Sequence, residues 1–239
     1  MIATYKALSI ALCYPTPEMR DGVEDLIAAL QHEALLPHQT SCSVSALLRE
    51  IALLNHLEAQ SRYVELFDRT RALSLHLFEH VHGESRDRGQ AMVSLLDRYR
   101  DAGLDMTANE LPDYIPAFLE FLSLLPAAEA RAMLAETVHI LSALEERLRK
   151  RESPYAAVFE ALVILSASQP DQSVLAGLAE TEMERPSDLA ALDRAWEEAE
   201  VRFGPDDGAG TSCPRAADIV HRMSKEPLPS ARNGRGASA

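Results

Sequence analysis

Apolar residues recur every three or four positions along nearly the whole chain, and this spacing limits the possible folds more than any other feature. A long example comprises Leu134, Val138, Leu141, Leu144 and Leu148. Such spacing places the apolar side chains on one face of an α-helix, which is buried against other helices. Residues 73–77 alternate with period two, but we expect helix there because a lone strand would have no partner. The sequence therefore predicts an all-α protein of eight or nine helices.

Proline, glycine and capping residues indicate where these helices begin and end. Pro37 predicts the end of a helix over roughly residues 18–36. Gly103 follows a helical pattern over about residues 86–102 and has the position of a C-terminal cap. Ser153 precedes a proline, so it is predicted to be an N-cap.

Charge and cysteine usage exclude several classes of partner. The chain has 23 Lys and Arg against 37 Asp and Glu, a formal net charge of −14, which repels nucleic acid and anionic lipid. Cys13, Cys42 and Cys213 are far apart and lack paired spacing, which fits a reducing compartment. The apolar run over residues 7–14 is too short for a membrane span and leads into Pro15, so we expect a first helix and not a signal peptide. These features predict a cytoplasmic protein with no nucleic acid and no membrane among its partners.

The composition changes near residue 204. The last 36 residues hold five of the ten glycines and four of the thirteen prolines. Four acidic and five basic residues give this stretch a charge of +1, so residues 1–203 carry −15. Within it, residues 216–223 have an amphipathic pattern too short to form a stable helix alone. A length of 239 residues suits one large domain, and we expect a helical domain over 1–203 followed by a flexible tail over 204–239.

The densest polar chemistry lies in residues 76–92, which include three His, two Glu, one Asp and two Arg. His76, Glu79 and His80 match a short zinc-peptidase pattern, in which two His one turn apart bind zinc and Glu polarises a water. That pattern needs a third ligand. Alternatively, the histidines belong to a buried polar network that ties the loop at Gly83 to the next helix, because buried polar groups need partners. A zinc-dependent hydrolase is therefore the alternative function.

Several segments resemble one known family in the same order along the chain. They are residues 63–69, 77–92, 110–116, which read Glu-Leu-Pro-Asp-Tyr-Ile-Pro, and 118–122. The sequence resembles the NarJ-type assembly chaperones of respiratory nitrate reductase, and the similarity covers roughly residues 1–203. These motifs are longer and less common than the five-residue zinc pattern, so they favour a chaperone.

The resemblance implies both a fold and a function. The fold would be a single-domain helical bundle of the TorD-like chaperone type, with no reaction of its own. Such chaperones bind the apo form of the catalytic (alpha) subunit of nitrate reductase, including its N-terminal peptide. They hold it while the molybdenum cofactor and an iron–sulfur cluster are inserted, before membrane docking, and they keep no cofactor stably bound. Proteins of molybdenum cofactor biosynthesis are further partners that the resemblance suggests.

The predicted partner-binding surface combines a loop and helix start over residues 80–88 with residues 111–116. Gly83 permits a sharp reversal of the chain, and Ser85 is predicted to cap the following helix. The set is His80, His82, Gly83, Glu84, Ser85, Arg86, Asp87, Leu111, Pro112, Asp113, Tyr114 and Pro116. Alternatively, these residues mainly hold two helices together.

Four residues of this surface have predicted roles in recognition. Asp113 and Glu84 are expected to contact a basic residue of the partner, because the negative charge of the chain suits a basic peptide. Tyr114 and Leu111 are expected to act as anchors, since large side chains that are at least partly apolar supply much of the binding energy of interfaces.

Overall fold

The part of the chain that the structure describes is helical, as the sequence predicts. The computed structural model describes residues 2–82, 86–106, 110–171 and 175, and the side chains of His82, Arg86 and Asp87 are not described. The helices are α1 (Ala3–Ala11), α2 (Pro17–Asp21), α3 (Val23–Glu33), α4 (His38–Leu53), α5 (His56–Phe67), α6 (Leu77–His82), α7 (Arg86–Asp101), α8 (Ile115–Leu124), α9 (Ala127–Glu136), α10 (Val138–Lys150) and α11 (Ala156–Ser166), with a 3₁₀ turn at Arg71–Leu73.

The predicted number of helices was too low. Within the described residues there are eleven α-helices. Two of them, α2 and α6, have five and six residues, little more than one turn each, so they are too short to give a periodic pattern. The single helix predicted over 18–36 is divided at Gly22, where α2 ends and α3 begins.

The predicted helix ends were correct in one case and displaced in another. Gly103 follows α7 with a φ of +79°, a left-handed conformation that glycine adopts without steric cost. Ser153 was expected to cap α11, but that helix begins at Ala156. The backbone N–H of Ala156 donates to the Ser153 carbonyl at 3.1 Å, whereas the Ser153 hydroxyl accepts no capping hydrogen bond. A turn stabilised by backbone hydrogen bonds therefore replaces the predicted side-chain cap.

Two groups of helices pack around the hydrophobic core. Helix α1 packs against α3 and α8, and α11 packs against α4, α9 and α10. Large side chains at these contacts are fully buried, and burial of each stabilises the fold by about 1.5–3 kcal/mol. They include Leu8, Leu48, Leu119, Leu144, Phe159 and Leu162.

No helix in the described ranges combines the length and apolarity needed to cross a bilayer. The predicted boundary between residues 203 and 204 lies outside the described residues, as does the amphipathic stretch 216–223. The division into a helical domain and a tail stays a prediction.

Candidate functional site

A short extended segment before α6 is joined to the segment before α8. The backbone N–H of Leu77 donates to the Asp113 carbonyl at 3.0 Å, and that of Ile115 donates to the Leu75 carbonyl at 2.8 Å. These bonds form an isolated antiparallel bridge between His76 and Tyr114. The expectation of helix over 73–77 was therefore wrong for the residues between the 3₁₀ turn and α6. Their alternating pattern reflects extended backbone whose partner lies 38 residues further along the chain.

Asp113 lies at the centre of this junction and its side chain is completely buried. Its Oδ2 accepts a 3.0 Å hydrogen bond from the Phe78 backbone N–H, in the first turn of α6, so the carboxylate caps that helix. Its Oδ1 lies 3.4 Å from His76 Nδ1, a distance at which the attraction is mainly electrostatic. Both carboxylate oxygens therefore face groups inside the protein, and the contact of Asp113 with a basic partner stays a prediction.

The Asp113 and His76 side chains perturb each other's protonation. Burial raises the pKa of the Asp113 carboxyl, but contacts with His76 and the Phe78 N–H outweigh burial, so the pKa lies below its ordinary value. The Asp113 carboxylate raises the pKa of His76, and partial burial of the imidazole opposes this effect. Each group therefore favours the charged form of the other.

The residues of the zinc pattern have other partners. His80 Nε2 donates to the Ser74 carbonyl at 2.8 Å, and burial lowers the pKa of this imidazole. Glu79 pairs with Arg88 at 3.2 Å. His80 is thus half-buried and tied to the segment before α6, whereas the predicted network that links the loop at Gly83 to the next helix falls on residues outside the described ones and stays a prediction. No group of three or more His, Cys, Asp or Glu side chains among the described residues is placed to hold a metal ion.

Tyr114 extends from the bridge into a cluster of aromatic rings. Its ring lies 5.4 Å from the His76 ring, measured between centroids. The Tyr63 hydroxyl donates to the Leu12 carbonyl at 2.9 Å, so the Tyr114 hydroxyl, 3.1 Å away, donates to the Tyr63 oxygen. Burial raises the pKa of Tyr114 to about 12. The Tyr114 phenol is therefore neutral at physiological pH. The hydrogen bond with Tyr63 and the contact with the His76 ring together hold the side chain in place.

Two clefts share Tyr114 and Glu110 as walls. The larger cleft has a volume of about 360 Å³ and lies between α8, α1 and the segment after α7. Apart from Tyr114, its larger apolar and aromatic wall residues are Tyr99, Leu104, Met106, Phe121 and Leu124. Its acidic residues are Asp105, Glu110 and Glu120. Glu120 pairs with Lys6, so Asp105 and Glu110 supply most of the negative charge.

The smaller cleft, of about 230 Å³, lies on the side of Tyr114 where the bridge is formed. Its walls include the rings of Tyr14, Tyr63 and Phe67 and the carboxylates of Asp68 and Glu110. Neither carboxylate has an ion-pair partner within the described ranges. Aromatic faces beside two unpaired carboxylates form an environment that attracts a cationic side chain.

The predicted partner-binding residues do not all share one surface. Pro112, Asp113 and Pro116 are buried, His80 and Tyr114 are half-buried, and Leu111 is exposed. Among the described members of the set, Tyr114 and Pro116 contribute to the clefts. The remaining predicted residues cannot be placed: Gly83, Glu84 and Ser85 lie outside the described residues, and the side chains of His82, Arg86 and Asp87 are not described.

Sequence reasoning missed most of the cleft walls. Asp68 and Glu110 each stand in a segment that carried the family resemblance, one after α5 and the other before Tyr114. That position was a partial signal, because an acidic residue within a motif is a candidate for binding, but the sequence does not distinguish these exposed carboxylates from the buried Asp113. Leu104 and Leu124 gave no comparable signal, since an apolar residue type does not by itself distinguish a cleft wall from the core.

Comparisons with known proteins show where this chain has relatives. Residues 16–161 match the family model of the nitrate reductase delta subunit. The chain is 42% identical over 205 residues, 86% of each chain, to the nitrate reductase molybdenum cofactor assembly chaperone NarJ of Escherichia coli K12. It is 37% identical over 94% of each chain to a probable chaperone of the same kind, NarW, from that strain. A probable NarJ from Bacillus subtilis is 32% identical over 67% of this chain and 86% of its own length.

Proposed function

Because the chain belongs to the nitrate reductase delta subunit family, we propose that it is an assembly chaperone for nitrate reductase. It binds the apo catalytic subunit and promotes insertion of the molybdenum cofactor. The observation that carries this proposal is the 42% identity, over 86% of both chains, to a protein named as such a chaperone. The family match confirms the resemblance that the sequence predicted.

The chaperone carries out no reaction of its own in this proposal. Its histidine-rich segment supports a structural role, because His80 is held by the Ser74 carbonyl and Glu79 by Arg88. These side chains position α6 and give no free set of ligands for a catalytic metal. Binding is then the entire activity, and it favours the open, cofactor-accepting state of the client by the difference in affinity for its two states.

The chaperone binds the N-terminal peptide of the catalytic subunit as part of this interaction. The clefts beside Tyr114 support this choice, because they combine apolar walls with the carboxylates of Asp68 and Glu110. A peptide that has both apolar and basic side chains could fill such a surface, with the carboxylates adding attraction at a distance. By holding this end of the client, the chaperone also delays membrane docking and leaves time for insertion of an iron–sulfur cluster.

The molybdenum cofactor enters this proposal as cargo of the client. Its phosphate groups are anionic. The carboxylates of Asp68, Asp105 and Glu110 in the cleft walls would repel them. The chaperone therefore assists insertion by holding the polypeptide and has no stably bound cofactor. Proteins that make and deliver the cofactor are further expected partners, acting on the complex of chaperone and client.

A comparison between apo and mature client tests the proposed function. The purified chaperone is mixed with catalytic subunit from cells unable to make the molybdenum cofactor, and separately with the cofactor-loaded subunit. We expect a stable complex with the apo subunit only, and a gain in molybdenum per subunit when cofactor and its delivery proteins are supplied. Equal binding to both forms, or no binding to either, would contradict the proposal.

A further inference from the structure

We propose that the two clefts form one docking surface, with Tyr114 as the partition, and that each cleft takes a different side chain of the same client segment. The larger cleft receives a bulky apolar side chain and the smaller cleft receives a lysine or arginine. This inference rests on the proposed function and specifies which residues of the chaperone select the client.

The larger cleft suits an apolar occupant. Its volume of about 360 Å³ lies within the range of about 300–1,000 Å³ that is usual for ligand clefts. Leu124 is 48% exposed at its rim, and Leu104 and Met106, both partly buried, line its wall. An apolar side chain placed there removes these groups from water, which favours binding roughly in proportion to the apolar area buried.

The smaller cleft suits a cation. Asp68 and Glu110 are both exposed and lie in its wall with Tyr14, Tyr63 and Phe67. Aromatic ring faces attract Lys and Arg, most strongly where water is partly excluded. The carboxylates add charge-assisted hydrogen bonds. Carboxylates also lie in the larger cleft, but its wall adds several aliphatic side chains, whereas the described wall of the smaller cleft consists mainly of aromatic rings and polar groups.

The shared walls place the two occupants close enough to come from one short segment. Tyr114 and Glu110 belong to both clefts, so occupants on the two sides are separated by little more than one ring. On a helix, side chains three or four residues apart are about 5–6 Å apart at Cβ. The client segment is therefore expected to carry its apolar and basic residues within four positions of each other. Tyr114 is held by Tyr63 and by the His76 ring, so the partition is already in place before the client binds.

Titration calorimetry with a synthetic peptide covering the N-terminal segment of the cognate catalytic subunit tests the larger cleft. Leu124→Ala is expected to weaken binding about five- to tenfold, the usual loss for an apolar anchor. Leu35→Ala is the matched control, since Leu35 is also 48% exposed and lies in neither cleft. Equal affinities of the two variants would overturn the assignment of the larger cleft.

A double-mutant cycle tests the smaller cleft. Asp68→Asn is combined with replacement of each basic residue of the peptide by alanine, and Glu129→Gln, an exposed residue of α9 outside both clefts, serves as the control. If Asp68 contacts one basic residue directly, the changes in binding free energy caused by the two replacements are not additive for that residue. For residues that do not contact each other, the changes are additive. Additivity at every basic residue would remove the smaller cleft from the proposal.

Capture of the full apo catalytic subunit separates this inference from the proposed function. If the wild-type chaperone captures the apo subunit while Leu124→Ala and Asp68→Asn bind client and peptide like their controls, the chaperone function stands and the docking surface is wrong. If the wild-type protein captures no apo subunit, the proposed function itself fails. Loss of capture in the cleft variants, with unchanged circular dichroism and unfolding midpoints, supports both.

Discussion

Replacement of Asp113 by alanine should destabilise the protein substantially. The carboxylate caps α6 through the Phe78 N–H at 3.0 Å, and loss of such a cap costs about 0.5–2 kcal/mol. The variant also removes the carboxylate charge that His76 Nδ1 faces at 3.4 Å, and loss of an interaction with a charged group costs about 1–3 kcal/mol. The two effects overlap at one junction, so we expect the free energy of unfolding to fall by about 2–4 kcal/mol.

Asp113→Asn separates the cap from the charge. The asparagine oxygen can still accept from the Phe78 N–H, so only the attraction to His76 is lost and the cost should be about half that of Asp113→Ala. Urea unfolding followed by circular dichroism measures both values. Asp97→Ala is the control, because Asp97 is exposed and pairs only with the exposed Arg100 within the described residues, a contact worth under about 1 kcal/mol.

The cost of Asp113→Asn should depend on pH. The folded-state pKa of Asp113 is lowered from 3.8, so its contribution is present above about pH 4 and is lost as the pH falls through the folded value. The pKa of His76 is raised from 6.5, so its contribution is complete below pH 6.5 and is lost as the pH rises through the folded value. The difference between wild type and variant should be largest between these limits. A pH-independent difference, or an alanine variant within about 0.5 kcal/mol of wild type, would refute this account of the junction.

Three further predictions concern other parts of the described structure. Gly103→Ala should lower the free energy of unfolding by about 1 kcal/mol, because Gly103 has a φ of +79°. Gly89→Ala inside α7 should raise it by about 0.5–1 kcal/mol, because an added Cβ meets no atom within 4 Å there. Urea unfolding must show opposite signs for the two changes in free energy. Phe159→Ala should cost about 3–5 kcal/mol in the same assay, since Phe159 is fully buried. Burial, assisted by Glu120, raises the pKa of the Cys13 thiol to about 11. Iodoacetamide at pH 8 should therefore alkylate Cys13 more slowly than the exposed Cys42, which peptide mapping detects. Similar rates at both cysteines would contradict the burial of Cys13.

The helices were predictable wherever apolar spacing extended over several turns. In α10, Leu141, Leu144 and Leu148 are all buried on the face that the sequence predicted. Such patterns report a local property, the side of a helix on which each residue lies, so one sequence is sufficient. Short helices such as α6 escaped the same reasoning because one turn contains no repeat.

The junction at Asp113 was not predictable because it depends on contact between segments far apart in the chain. Between two prolines, an aspartate has the appearance of a surface loop residue, and the sequence does not reveal that the Phe78 N–H lies within 3.0 Å of its side chain. The alternating residues before α6 belong to the same junction, where His76 pairs with Tyr114. Composition and spacing reveal neither the cap of α6 by Asp113 nor the bridge to Tyr114, since both contacts arise from tertiary packing.

The buried position of Asp113 also determines how recognition by this family member can be tested. Reversal of its charge would disrupt the cap of α6 and displace Tyr114, which forms a wall of both clefts, so weakened binding of a client could not be attributed to a lost contact. The exposed walls, Leu124 and Asp68, are free of this ambiguity because their side chains support no buried hydrogen bond among the described residues. If Asp113→Asn weakens client binding only in proportion to the fraction of chaperone that it unfolds, Asp113 serves stability alone. A loss beyond that fraction would mean that the bridge also sets the position of Tyr114 for docking.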